Sequence, residues 1–412
     1  MPMKPRVPAV LAVALLVPAV LATRSIHDEP LVQLREVEAP ALVGAGQQNL
    51  AVGPDGRVYF SWIDRLPDSS TALRFGVLGG SGWSAPRTVA QGRDWFINWA
   101  DFPSLLVLGE NRLAAHWLQK SSLGRYSYDV RLSRSSDGGL TWTTPVVPHR
   151  DATPTEHGFA ALWPGPDGEV GAAWIDGRKH VLPDTSRREM TLRAATFGAR
   201  GELGPEVELD ERICDCCQTA VAVTAEGPVI VYRDRTAGEV RDIAIVRQVG
   251  GAWTAPRVVA ADGWEINACP VNGPMVAADA RRVVVAWYTG ARDTRRVLVA
   301  FSDDAGATFA APVQVDDGHP VGRVAVVLVP GGDALVSWLE DTPAGAEVRV
   351  RRVGAGGERG EAQAVARTVA GRPSGFPRMV RSGDRVVFAW REPESAAGAR
   401  VRTATARLRE ER

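Results

Sequence analysis

Apolar residues along this chain gather into short runs that end on an aromatic residue, separated by polar stretches rich in Gly, Asp and Pro. Seven such runs recur: "VYFSWID" (58–64), "LAAHWLQ" (113–119), "VGAAWID" (170–176), "VIVYRDR" (229–235), "VVVAWYT" (283–289), "ALVSWLE" (334–340) and "VVFAWRE" (386–392). Their aromatic centres are Trp62, Trp117, Trp174, Tyr232, Trp287, Trp338 and Trp390, spaced by 55, 57, 58, 55, 51 and 52 residues. A repeat of this length with no helical periodicity predicts a β-propeller.

Around each centre the same pieces return. An apolar segment leads through a turn such as "GPDG" (53–56) into the aromatic strand, and a polar loop then leads to a third strand. A tight turn and a closing strand such as "SAPRTV" (84–89) or "TAPRVV" (254–259) complete the unit. The pattern predicts an all-β fold of four-stranded antiparallel blades, seven in number with six as the alternative. A sheet apolar on both faces cannot stand alone, so stacking in a ring buries each face, and the recurring Trp packs between blades.

The last unit stops at "RVRTATARL" (400–408), its third strand, and lacks a fourth. Residues 31–38, "LVQLREVE", precede the first blade and have the place of a closing strand. The N-terminal strand is therefore expected to complete the last blade, giving one propeller domain over 31–408, a short segment at 23–30 and a tail at 409–412.

Residues 1–22, "MPMKPRVPAVLAVALLVPAVLA", have a basic start, an apolar run and small residues at cleavage spacing. This reads as a secretory signal, since the run is short for a spanning helix and holds Pro8 and Pro18. The expectation is an exported chain, periplasmic or extracellular, with no membrane span after cleavage and a monomeric state. The 48 basic residues balance 48 acidic ones with no long block of either sign, which argues against a nucleic-acid partner.

"SSDGGLTW" (135–142) places Ser135, Asp137, Gly139 and Trp142 at the spacing Ser-x-Asp-x-Gly-x-x-Trp, and "SDDAGATF" (302–309) repeats it with Ser302, Asp304, Gly306 and Phe309. The Asp and Ser side chains suit turn N–H groups, Gly supplies a positive φ, and the ring packs beneath. These turns resemble the Asp-box, or BNR, repeat of the sialidase-like propellers, and the resemblance runs over nearly all of 31–408. It implies a folding role for the boxes. It also implies a glycosidase with three arginines on a substrate carboxylate, the first in an Arg-Ile-Pro motif, and a tyrosine nucleophile activated by glutamate. No Arg-Ile-Pro motif is present, and Tyr126 and Tyr128, read as loop residues, lack a nucleophile's context.

Three of the four cysteines stand in "RICDCCQTA" (212–220). Cys214 lies eighteen residues before Tyr232, and Cys269 lies eighteen before Trp287, so the two hold equivalent places in adjacent blades. His157 and His319 enter the same ring of loops. Cys214, Cys216, Cys217 and Cys269 thus form a candidate thiolate site on the face opposite the Asp boxes, with His157 and His319 as further candidates. Thiolates suit Cu(I), and Zn(II) also accepts four of them. Two structural disulfides are the alternative.

Weaker ligand candidates on that face are Arg233, Asp234, Arg235, Asn272, Arg323 and Arg378. The charges of "YRDRTAGEVRDI" (232–243), which include Glu239 and Arg241, and of "WIDGRKH" (174–180) read first as solvated ion pairs. "DWFINWADFP" (94–103) offers Trp95, Trp99 and Asp101 for stacking or packing, and His116 reads as a core histidine. Three functions remain open. One is an exported soft-metal (copper) binding or redox protein. Another is a scaffold for a glycan or protein held by disulfides. The third is an exo-α-sialidase-type hydrolase, its carboxylate clamp drawn from Arg233, Arg323 and Arg378.

Overall fold

The seven aromatic runs all become the second strand of a sheet. The computed structural model describes Met1, residues 28–393 and residues 398–409; the expected signal at 1–22 lies outside the described residues apart from Met1. Seven antiparallel sheets are present, and in all but the last the strands lie side by side in chain order. Blade 1 opens with Gly46–Val52 and Val58–Arg65, and blade 3 has His157–Pro164, Val170–Asp176, Met190–Phe197 and Val207–Ile213. Blade 4 runs Ala220–Thr224, Gly227–Arg233, Ile243–Val249 and Arg257–Ala260. In blade 2 the fourth strand shrinks to a bridge between Leu132 and Val146.

Blade 7 closes as the strand count requires. Its strands Arg378–Ser382, Arg385–Glu392 and Arg400–Leu408 accept Leu31–Val37 as the fourth, with Leu31 opposite Leu408 and Val37 opposite Thr403. Leu31 is buried in the core shared by blades 6 and 7, and its N–H donates to Gln363 Oε1 at 3.0 Å.

Each aromatic centre packs against the blade before it. Trp174 joins Leu118, Val130 and Leu132 of blade 2, Tyr232 joins Ala173 and Leu192 of blade 3, and Trp62 joins Ala389 and Val401 of blade 7. Four of the tryptophans, Trp62, Trp174, Trp287 and Trp338, are fully buried. Such rings contribute the largest apolar areas at the contacts between blades. Two of these indole N–H groups find carboxylate acceptors, Trp174 reaching Asp176 at 2.8 Å and Trp287 reaching Asp262 at 2.7 Å, whereas Trp62 Nε1 has no partner.

The Asp boxes form as their residue types dictate. Gly139 N–H donates to Ser135 Oγ at 2.8 Å, while Asp137 accepts from the N–H groups of Leu140 and Thr141 at 3.0 Å. Gly306 and Thr308 repeat this with Ser302 and Asp304. Gly139 has φ +85°, and a Cβ there would lie 2.5 Å from Phe75 of blade 1. Trp142 meets the same ring edge-on, and Phe309 packs against the core of blades 4 and 5.

At the opposite end the inner strands meet around the channel. Fifteen residues before their aromatic centres, Gln47, Phe159, Arg323 and Gly375 all take positive φ. In blades 1, 3 and 6 the residue sits in a register shift of the inner strand. These bulges turn backbone donors sideways. Phe159 N–H reaches Asp101 at 2.9 Å and Arg323 N–H reaches Asn272 Oδ1 at 2.8 Å, lacing neighbouring blades together at the mouth.

Candidate functional site

Residues 214–219 carry the chain from the outer strand of blade 3 to the inner strand of blade 4. Both ends of the loop are pinned. Cys214 N–H donates to Arg233 O at 3.0 Å, and Thr219 Oγ1 donates to Phe159 O at 2.7 Å. Gln218 spans two neighbours, giving its amide N–H to Ala100 O at 2.6 Å and accepting from Gly273 N–H at 2.9 Å. Gly273 permits that approach, since a Cβ there would stand 2.2 Å from Gln218 O.

The loop turns three thiols inward. Cys214 Sγ lies 3.6 Å from Cys217 Sγ and 3.9 Å from Cys216 Sγ, and all three sulfurs fall within 4.8 Å of one another. No disulfide joins any of the four cysteines in the structure. Metal–sulfur bonds of about 2.3 Å place sulfurs about 3.8 Å apart in a tetrahedron and about 4.0 Å apart in a triangle. The observed separations match those edges.

Positive charge backs the cluster. Arg241, itself buried, brings Nη1 to 3.2 Å from Cys214 Sγ, and the Arg233 guanidinium lies behind it, held by the carbonyl oxygens of Asn272, Arg241 and Tyr288. Cys214 is held well below the usual thiol range, first by Cys216 and Cys217 and further by the charge of Arg233. Burial pushes Cys217 the other way. Cys269 is exposed and interacts with Cys216, which draws its thiol down to about 7. It stands outside the set of three mutually close sulfurs.

The other candidates divide. Arg235 pairs with Glu239 at 2.7 Å, and Arg241 completes that pair at 2.8 Å. Asp234 accepts from Arg235 N–H at 2.7 Å and is pushed up to about 6, chiefly by burial. Asn272 fixes the mouth through Arg323 N–H and Val321 O. His319 is exposed on the blade 6 side, its N–H given to Glu340. His116 is buried and bonded to Ser104 at 2.8 Å.

His157 belongs to a separate cluster. Its ring stacks on His149 with centroids 3.7 Å apart and planes 4° from parallel. Asp151 lies 3.3 Å and Asp176 3.7 Å from His157 Nε2, while Asp129 lies 3.6 Å from His149 Nε2. An ion must lie in the plane of each imidazole that binds it, and these two parallel planes share no such point. Arg178 already bridges Asp151 and Asp176. The cluster is a buried charge network in which Asp151, His157 and Asp176 also bring one ligand atom each within 4.8 Å of one another.

Sequence reasoning missed a third group. Tyr128 opens the third strand of blade 2 instead of lying in a loop, and its ring is fully buried against Phe96. The hydroxyl stands 2.7 Å from Glu156 Oε1 and 3.0 Å from Asp101 Oδ2. Burial pushes Asp101 up to about 7 and Glu156 up to about 8. Gly158 makes room, since a Cβ there would lie 2.2 Å from Asp101 Oδ2. The pairing matches the tyrosine and glutamate of a sialidase by residue type, but a fully buried phenol cannot reach a substrate.

A signal for this group existed in the repeat. Glu156 lies eighteen residues before Trp174, the register of Cys214 and Cys269. Trp99 before Trp117 and Arg372 before Trp390 share it. Five of the seven equivalent loop positions on this face thus hold Trp99, Glu156, Cys214, Cys269 and Arg372.

No protein-family model and no curated protein matches the chain. Solved structures do resemble it. A protein of unknown function from Dyadobacter fermentans is 15% identical with a TM-score of 0.51, over 91% of this chain and 99% of that one. The α-L-arabinanase of Penicillium chrysogenum, solved with arabinobiose, is 14% identical with a TM-score of 0.50, over 92% and 98%. The polysaccharide lyase Uly1 is 9% identical with a TM-score of 0.53, over 92% and all of that chain. At such identities the likeness establishes the fold alone: a seven-bladed propeller shared with carbohydrate-active enzymes.

Proposed function

We propose that the protein binds one soft metal ion, Cu(I), through Cys214, Cys216 and Cys217 on the upper face of the propeller. The observation that carries this reading is the triangle of sulfurs, 3.6 and 3.9 Å along two edges, on a loop pinned to three blades. Three soft donors with no fourth inside the set suit Cu(I) better than tetrahedral Zn(II). Three thiolates around a monovalent ion leave a net negative charge, which Arg241 and Arg233 offset. Cys216 is half-buried beside the exposed Cys269, so the site opens to solvent along that edge. When bound, the ion supplies one-electron chemistry or serves as cargo. Export to an oxidising space is part of the same proposal, resting on the sequence of residues 1–22.

The test is titration of reduced protein with Cu(I) in an anaerobic chamber against a competing chelator. One equivalent is expected, with charge-transfer absorption in the near ultraviolet and a raised melting temperature. Cys214→Ser and Cys217→Ser should abolish uptake, and Cys269→Ser should weaken it less. Four titratable thiols with no uptake of Cu(I) or Zn(II) would sink the proposal. Four cysteines found in disulfides after isolation without reductant would favour the scaffold reading.

A further inference from the structure

The four cysteines are graded in depth. Cys214 and Cys217 are buried, with relative exposures of 1% and 2%, while Cys216 is half-buried and Cys269 is exposed. Asn267 and Ala268, just before Cys269, are exposed as well, so a reagent in solution reaches that thiol first. Cys216 is the connecting sulfur. Its side chain interacts with Cys269 on one side, and its Sγ stands 3.9 Å from Cys214 Sγ on the other.

The loops that carry these two thiols are held together without a covalent link. Gly273 N–H donates to Gln218 Oε1 at 2.9 Å, and Arg233 Nη2 donates to Asn272 O at 2.8 Å. Cys216 lies two residues before Gln218, and Cys269 lies three before Asn272, so both ties sit next to the thiols at the boundary of blades 4 and 5. Loops ordered in advance give up less entropy when a bond joins them.

We infer that Cys269 and Cys216 are a thiol–disulfide exchange pair that reacts with a low-molecular-weight disulfide, RSSR, and so governs whether Cys216 is available to the three-sulfur set. Cys269 Sγ attacks one sulfur of RSSR: the bond from Cys269 Sγ to SR forms, the RS–SR bond breaks, and one RSH leaves with the proton that Cys269 gave up. Cys216 Sγ then attacks Cys269 Sγ, which forms the bond between the two cysteines, breaks the mixed disulfide and releases the second RSH with the proton of Cys216. Two protein thiols are oxidised by two electrons in all, and one RSSR is reduced to two RSH. Cys214 and Cys217 remain as thiols, a pair 3.6 Å apart in place of a triangle. The effect on metal uptake rests on the proposed Cu(I) site, whereas the exchange itself needs no metal.

The test starts from reduced, metal-free protein incubated with glutathione disulfide under argon, quenched by alkylation and mapped by mass spectrometry. The expected product has one disulfide, between Cys216 and Cys269, two alkylated thiols and two glutathiones released per chain. Cys216→Ser should stop at glutathione bound on Cys269 with one released, and Cys269→Ser should react at least tenfold more slowly. A disulfide between Cys214 and Cys217, glutathione fixed first on another cysteine, or Cys269→Ser reacting as fast as the parent overturns the inference. In a second arm the oxidised protein should take up Cu(I) at least tenfold more weakly than the reduced protein, with uptake restored by dithiothreitol; equal uptake by both forms overturns the control of the site. Exchange without Cu(I) uptake by either form supports the pair while the metal reading fails. Cu(I) uptake without exchange overturns the pair and leaves the metal reading standing.

Discussion

The hydroxyl of Tyr128 lies 2.7 Å from a carboxyl oxygen of Glu156, inside the contact between blades 2 and 3. With Asp101 at 3.0 Å on its other side, one phenol proton serves two carboxyl groups. The cluster therefore holds an additional proton around neutrality, which is the physical meaning of the raised values of Asp101 and Glu156.

A stability profile follows from that relationship. In the unfolded chain both acids titrate near pH 4, whereas in the fold Asp101 is pushed up to about 7 and Glu156 up to about 8. Between these limits the folded protein binds more protons than the unfolded one. Stability is highest at the acid end and falls as pH rises, by at most about 1.4 kcal/mol per pH unit for each group. Melts from pH 5 to 8 should show this decline, and Glu156→Gln should flatten it. A variant whose profile runs parallel to the parent would refute the assignment.

His157 titrates in the opposite chemical sense with the same outcome. Burial alone would push its imidazole down, but the hydrogen bond to Asp151 and the charges of Asp176, Asp151 and Asp129 outweigh it and hold it raised. Its stabilising contribution is fully present below the unfolded value of about 6.5 and is lost as pH climbs through the folded value. His157→Gln should cost about 3–5 kcal/mol at pH 6 and clearly less at pH 9, measured by urea unfolding. Equal costs at the two pH values would count against a charged imidazole.

Gly139 joins the Asp box of blade 2 to blade 1. Its positive φ, and the Phe75 ring only 2.5 Å from where a Cβ would stand, leave no room for alanine. Gly139→Ala should destabilise by about 1–3 kcal/mol from overpacking, with no effect on metal uptake at the far face. Asp137→Asn, which keeps the side-chain shape, should cost less. A melting temperature unchanged in Gly139→Ala would show that the box is not under this constraint.

Removing Leu31–Val37 should open blade 7. The strand covers one edge of Arg400–Leu408 and seats Leu31 in the core of blades 6 and 7. An uncovered edge pairs with other chains, so the truncated protein is expected to aggregate on refolding. Light scattering and a melt of the truncation decide it: a monomer that melts like the parent would mean the ring does not need its clasp.

Much of this architecture was written in the spacing of the aromatic residues, because a blade is one supersecondary unit whose parts are near in sequence. The missing last strand and the spare strand at 31–38 predicted the closure for the same reason. The equivalence of Cys214 and Cys269 was also legible, since repeat register fixes which face a loop occupies. Side-chain company was not. His157 shares that face with the cysteines, yet its ring enters the stack with His149 because Asp151 and Asp176 surround it. Tyr128 read as a loop residue because its strand follows a polar stretch, and only packing on Phe96 shows it as core.

By itself, then, the sequence determined the propeller fold with seven blades favoured over six, the strand order, the Asp-box turns and the face on which the thiols stand, all properties of local pattern and period. The tertiary structure decided which of those residues meet. Cys214, Cys216 and Cys217 converge while Cys269 stays outside their set, and Glu156 finds Tyr128 across a blade contact. Such meetings depend on how loops from different blades lean into a common mouth, and distances across the ring are set by packing between sheets that no single repeat contains.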